Sequence, residues 1–134
     1  MEAAAASTEI HVLAWSVVLL LAQIVLQAVS IYDLGPSYLL GPRDQEQESR
    51  NPVAGRLKRA LENLLETYPA YIALALALAI TGKAGGIAAT GAWVWLLARV
   101  VYLPLYAFGV PVLRTLAWCI SIVGLVMMLW QLMA

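Results

Sequence analysis

The sequence predicts an all-α integral membrane protein, a four-transmembrane-helix bundle in one domain over residues 1–134. Three observations carry this reading. Hydrophobic residues make up 63% of the chain and charged residues 12%, whereas a soluble domain averages about 25% charged and needs that surface to cover its core. The apolar residues stand in long blocks, each reaching the roughly 20 residues that a membrane-crossing helix requires. Helix breakers separate the last three blocks.

The first block, Ile10 to Tyr32, predicts a helix over about 10–32. It follows "MEAAAASTEIH", which lacks the positive start of a signal peptide, and the block is too long for a cleaved apolar region, so a retained helix is expected. His11, at its start, reads as an interfacial residue. The segment "DLGPSYLLGPRDQEQESRNP" is polar, contains three prolines and predicts a loop over about 33–52. The second helix restarts after Pro52, a residue tolerated in a first turn, and covers about 53–81 with its apolar block from Leu57 to Thr81. "GKAGG" (Gly82 to Gly86) and "FGVP" (Phe108 to Pro111) are tight turns that bound a third helix over 87–108 and a fourth over 112–133. Helices two, three and four are therefore antiparallel neighbours. Cys119 is the single cysteine, so neither an internal disulfide nor a cysteine metal cluster forms; it reads as a small packing residue. No metal site is expected.

Positive charge orients the bundle. Arg43, Arg50, Arg56, Lys58 and Arg59 lie in or beside the first loop, the N-terminal tail has no Lys or Arg, and the second loop has only Lys83. The first loop is expected to be cytoplasmic and both termini non-cytoplasmic. Formal net charge is zero, which is no nucleic-acid footprint.

The second helix opens with charge. Arg59, Asn63 and Glu66 are four and three residues apart, which stacks them on one face, and Arg56 extends the stripe. Glu66 lies roughly 10 Å deeper than Arg59 at 1.5 Å per residue. An ionised carboxylate at that depth is expected to turn inward and find a partner. Arg99, Tyr102 and Tyr106 form a second stripe on helix three, and a Glu66–Arg99 approach inside the bundle is expected. Arg114 opens helix four at the same end. The topology thus gathers Arg59, Asn63, Glu66, Tyr102, Tyr106 and Arg114 in one leaflet. Guanidiniums pair with carboxylates, Glu66 suits an ammonium, Asn63 a peptide amide, and the tyrosines donate hydroxyls. A small, zwitterionic, peptide-like ligand fits that set. Snorkelling anchors and a structural ion pair explain single members, but neither accounts for a buried amide at Asn63.

At these residues a family resemblance appears. "RALENLLETYP" fits R-A-x-x-N-x-x-E-x-x-P and resembles the second-helix signature of MAPEG, the membrane-associated proteins in eicosanoid and glutathione metabolism. "ARVVYLPLYAFGVPVLRTLAW" (Ala98 to Trp118) resembles the family's third-helix end and fourth-helix start; "GPRD" and "GVPVLR" look like its bacterial branch. The resemblance implies a homotrimer in contact with membrane lipids, in a bacterial inner membrane. It implies glutathione as co-substrate between subunits near the cytoplasmic face, held at Arg59, Asn63, Glu66, Tyr102 and Tyr106. It assigns Arg114 the catalytic role of stabilising the thiolate. Several animal members bind glutathione through an arginine near the end of helix one; here "SIYDLGPSY" offers Asp33, Ser37 and Tyr38 instead, and Arg43 with Asp44 are candidate substitutes. A lipophilic small-molecule electrophile arrives from the bilayer. A free thiol titrates near about 8.5 and its thiolate is the nucleophile, so a fixed cation beside the sulfur is chemically apt.

The expected function is a membrane-bound glutathione-dependent transferase or peroxidase of the microsomal type. The alternative is a non-catalytic lipid- or glutathione-binding member, since fold does not dictate chemistry. A small drug transporter with Glu66 as its proton-coupled carboxylate leaves Asn63 and Arg114 without a role.

Overall fold

The computed structural model describes residues 6–31, 35, 40, 41 and 52–134. Four helices account for nearly all of them: α1 Thr8–Ser30, α2 Pro52–Ile80, α3 Gly86–Ala107 and α4 Pro111–Met133. There is no strand among the described residues. All four helices are long and apolar enough to cross a membrane, and the chain is an integral, multi-pass membrane protein. Most of the expected loop, with Asp33, Ser37, Tyr38, Arg43, Asp44 and Arg50, lies outside the described residues.

Local chemistry sets the helix ends. α1 starts two residues before the expected Ile10 because Ser7 is its N-cap: the Ser7 hydroxyl accepts the Ile10 N–H at 3.4 Å. α2 starts on Pro52 itself. Its early start is compatible with proline's missing N–H, which no helix bond needs in a first turn. Pro111 opens α4 in the same way. α3 ends where the N–H groups of Phe108, Gly109 and Val110 fold back onto the carbonyls of Pro104, Tyr106 and Leu105. Gly109 takes φ +72° there, and a Cβ on it would meet the Arg56 guanidinium at 3.0 Å.

The core uses all four helices, with Val12, Leu64, Tyr68, Tyr71, Trp95 and Met128 among its buried members. The Trp95 ring stacks on Tyr71 at 4.1 Å and 6°, and meets Tyr68 edge-on at 5.7 Å. Inside a bilayer the two tyrosine hydroxyls need protein partners. Tyr68 shares a 2.6 Å hydrogen bond with Ser16, and the Tyr71 hydroxyl donates to the Glu9 carbonyl at 2.8 Å. Both bonds pin α1 to α2.

α3 and α4 share the most extensive helix contact. Its closest point is a pair of glycines. A Cβ on Gly91 would lie 2.6 Å from the Gly124 carbonyl oxygen, and one on Gly124 would lie 2.5 Å from that of Gly91. Small residues let two membrane helices approach to backbone contact, where dispersion replaces the missing hydrophobic drive. The turn between α2 and α3 is tied off by side chains. Buried Glu9 accepts the Gly85 N–H at 2.9 Å, and Gln131 accepts that of Ala88 at 3.0 Å. Gln131 also donates to the carbonyls of Lys83 and Gly85, and Lys83 donates to that of Leu132. Free helix-end groups thus find partners without water.

His11 is exposed, with Nδ1 3.0 Å from the Ser7 carbonyl oxygen. Cys119 is exposed on the outside of α4 rather than packed within the bundle.

The glycine contact yields a prediction. Gly124→Ala places a methyl group against the Gly91 carbonyl and the Trp95 backbone, so it should cost about 1–3 kcal/mol of stability, the usual range for overpacking. Denaturation of the purified protein in detergent measures this. A variant as stable as the parent would show that α3 and α4 separate freely.

Candidate functional site

A second, smaller cluster forms at the α3–α4 turn end, where buried Ala60, Tyr102 and Ala117 meet Leu103, Leu105, Tyr106 and Trp118. Beside it lies a hollow of about 260 Å³ lined by Asn63, Tyr102, Tyr106, Arg114, Thr115 and Trp118. Three helices supply these residues. α2 gives Asn63; α3 gives Tyr102 and Tyr106, one turn apart; α4 gives Arg114, Thr115 and Trp118, whose spacing puts them on one face.

Cations and rings alternate here. The Arg114 guanidinium stands over the Tyr106 ring at 4.5 Å, and that of Arg99 over the Tyr102 ring at 4.4 Å. The two tyrosine rings lie 5.5 Å apart, tilted by 56°. Arg59 Nε donates to the Tyr106 hydroxyl at 3.2 Å, and Arg56 donates to the Ala107 carbonyl at 3.4 Å. Arg56 therefore satisfies the end of α3 and is no part of the hollow. Arg59 touches the hollow only through Tyr106.

Arg99 is 1% exposed, and Nη1 donates to Asn63 Oδ1 at 2.8 Å. The expected Glu66–Arg99 pair does not form. Glu66 is exposed and does not line the hollow. The helical rotation of about 100° per residue explains this. Counting from Arg59 as zero, Asn63 lies at about 40° and Glu66 at about −20°. The buried residues Ala60, Leu64, Tyr71 and Ala75 lie between about 100° and 160°. Asn63 is on the flank of the buried face, while Arg59 and Glu66 point away from the core of the bundle.

The hollow's chemistry is one-sided. Arg114, Asn63, Trp118 and the two tyrosines bring N–H or O–H groups, and no carboxylate lines it. Thr115 donates its proton to the Pro111 carbonyl at 3.0 Å, leaving lone pairs to face a ligand. Such a wall suits carboxylates, carbonyls or a thiolate. Sequence reasoning did not assign Trp118 or Thr115 to the site. The signal was their distance from Arg114, four residues and one.

A family model described as the MAPEG family matches residues 12–134. No curated protein and no solved structure shows a significant match.

Arg114 and Tyr106 should be energetically coupled. In a double-mutant cycle of Arg114→Met and Tyr106→Leu, read by unfolding in detergent, about 1 kcal/mol of coupling is expected for a half-buried cation over a ring. Additive effects would mean that Arg114 does not rest on the ring in solution.

Proposed function

Since the chain belongs to the MAPEG family, a family of membrane proteins with glutathione-related functions, we propose that it is a glutathione-dependent transferase or peroxidase. It conjugates or reduces lipophilic electrophiles drawn from the bilayer, in a bacterial inner membrane with both termini non-cytoplasmic. The observation that carries the reading is the hollow where Asn63, Tyr102, Tyr106 and Arg114 converge at one end of the bundle.

The residues fit the co-substrate. Glutathione is rich in carboxylate and carbonyl oxygens, and the hollow offers mainly donors. When bound, it supplies a thiol whose sulfur is the nucleophile. A guanidinium such as that of Arg114 lowers the energy of a nearby thiolate by its charge. The Tyr106 ring holds that guanidinium in place. The apolar cluster around Ala60 and Ala117 backs the hollow, and such surroundings strengthen the charge interaction.

Arg59 and Glu66 enter through the oligomer. A carboxylate turned outward toward lipid is expensive, so it calls for a polar neighbour. A homotrimer in which the outward face of α2 meets the hollow of the adjacent subunit meets that need, with Glu66 taking the ligand's ammonium and Arg59 a carboxylate.

Calorimetry with glutathione on the purified protein in detergent tests this. The parent should bind, and Glu66→Gln should bind at least about tenfold more weakly, the scale of a lost charged hydrogen bond. Arg114→Ala should still bind but lose thiolate absorbance and about 100-fold in turnover. Absence of binding by the parent would sink the reading; binding without any thiol-dependent turnover would favour a non-catalytic member.

A further inference from the structure

We propose that Arg99 is a positioning residue that fixes which end of the Asn63 amide faces the ligand. The proposal rests on the hollow being the ligand site described above.

The argument is one of hydrogen-bond polarity. A guanidinium carries only donors. The Asn63 atom 2.8 Å from Arg99 Nη1 must therefore be the carbonyl oxygen. The amide's NH2 group is then left for the hollow that Asn63 lines. Without Arg99 the side chain can present either end, and half of its orientations would offer an acceptor to a ligand made of acceptors. The lock turns an ambivalent amide into a donor.

Arg99 is suited to this and to little else. It is 1% exposed and does not line the hollow, so it does not touch the ligand itself. Its Nε and Nη2 have no hydrogen-bond partner; the face of Tyr102, a second residue of the hollow, lies under its guanidinium at 4.4 Å. A cation buried in a membrane helix with a single hydrogen bond is costly. For stability alone, an apolar residue of similar volume would serve as well or better. What an apolar residue cannot do is dictate the orientation of Asn63. Arg59 acts alike one turn away: by donating to the Tyr106 oxygen it occupies a lone pair and leaves that hydroxyl's proton for a neighbour.

Three variants separate this from a structural role. Asn63→Asp keeps an oxygen for Arg99 but turns a second oxygen toward the hollow. It should retain or raise the unfolding temperature and weaken glutathione binding at least about tenfold. Arg99→Met should shift the side-chain amide resonances of Asn63, recorded by NMR in micelles, toward those of a solvated asparagine. It should also weaken binding about tenfold in the parent and not at all in an Asn63→Ala background. Arg99→Lys, which keeps one donor, should restore most of the binding. The proposal is overturned if Arg99→Met leaves the Asn63 resonances unmoved, if its binding loss is the same in the Asn63→Ala background, or if Asn63→Asp binds as the parent does. If the parent binds no glutathione, the proposed function fails and the amide resonances alone decide the lock. Should Arg99→Met not fold, Asn63→Asp and Arg99→Lys carry the test.

Discussion

The backbone contact between Gly91 and Gly124 governs the geometry at the far ends of the helices that share it. With no side chain between them, α3 and α4 lie close enough for a tight turn to join them. That turn puts Arg114 over the Tyr106 ring and leaves room beside the pair for Asn63 and Trp118. A wider crossing would draw the cation off the ring and open the hollow to lipid. The small residues in the core and the large ones at the cluster are thus parts of one arrangement, in which close approach at one depth creates a cavity at another.

α2 explains what was legible in the chain and what was not. The four spans could be read because each apolar block is long and most are set off by breakers, and the shifts at their starts trace to single residues such as Ser7 and Pro52. Asn63, Tyr102, Tyr106 and Arg114 could be read as a constellation because antiparallel topology carries residues at equal depth together. The direction of Glu66 could not. A step of three residues leaves two side chains about 60° apart, close enough to look like one stripe and far enough to straddle the edge of the buried face. Which side of that edge a residue takes depends on the rotation of the whole helix, set by Tyr68 and Tyr71 packing on Trp95. Trp118 was hidden for another reason: within an apolar block a tryptophan looks the same whether it faces lipid or a cavity. Gln131 and Glu9 act through backbone groups, which carry no letter in the sequence.

The two ends of the bundle use similar chemistry for opposite purposes. Where α2 passes into α3, Glu9, Gln131 and Lys83 answer backbone groups of Gly85, Ala88 and Leu132, and their polarity is largely consumed in closing helix ends. At the other end Arg56 does the same for α3, but Arg114, Tyr102 and Asn63 are arranged around space. Inside a bilayer a polar side chain either completes the fold or addresses something else, and the division here runs along the length of the molecule.

The Arg99–Asn63 bond also bears on how the chain enters the membrane. A cation at the middle of a helix adds about 2.5–3.5 kcal/mol to the cost of insertion. That burden falls on α3, which already interrupts its apolar run with two glycines and Pro104. Synthesis proceeds from the N-terminus, so α2 and its Asn63 leave the ribosome first. The amide is in place to receive the guanidinium when α3 arrives. α2 and α3 are best suited to partition into lipid as a hairpin, and the residue that orients an amide in the finished protein eases, through the same bond, the arrival of its own helix.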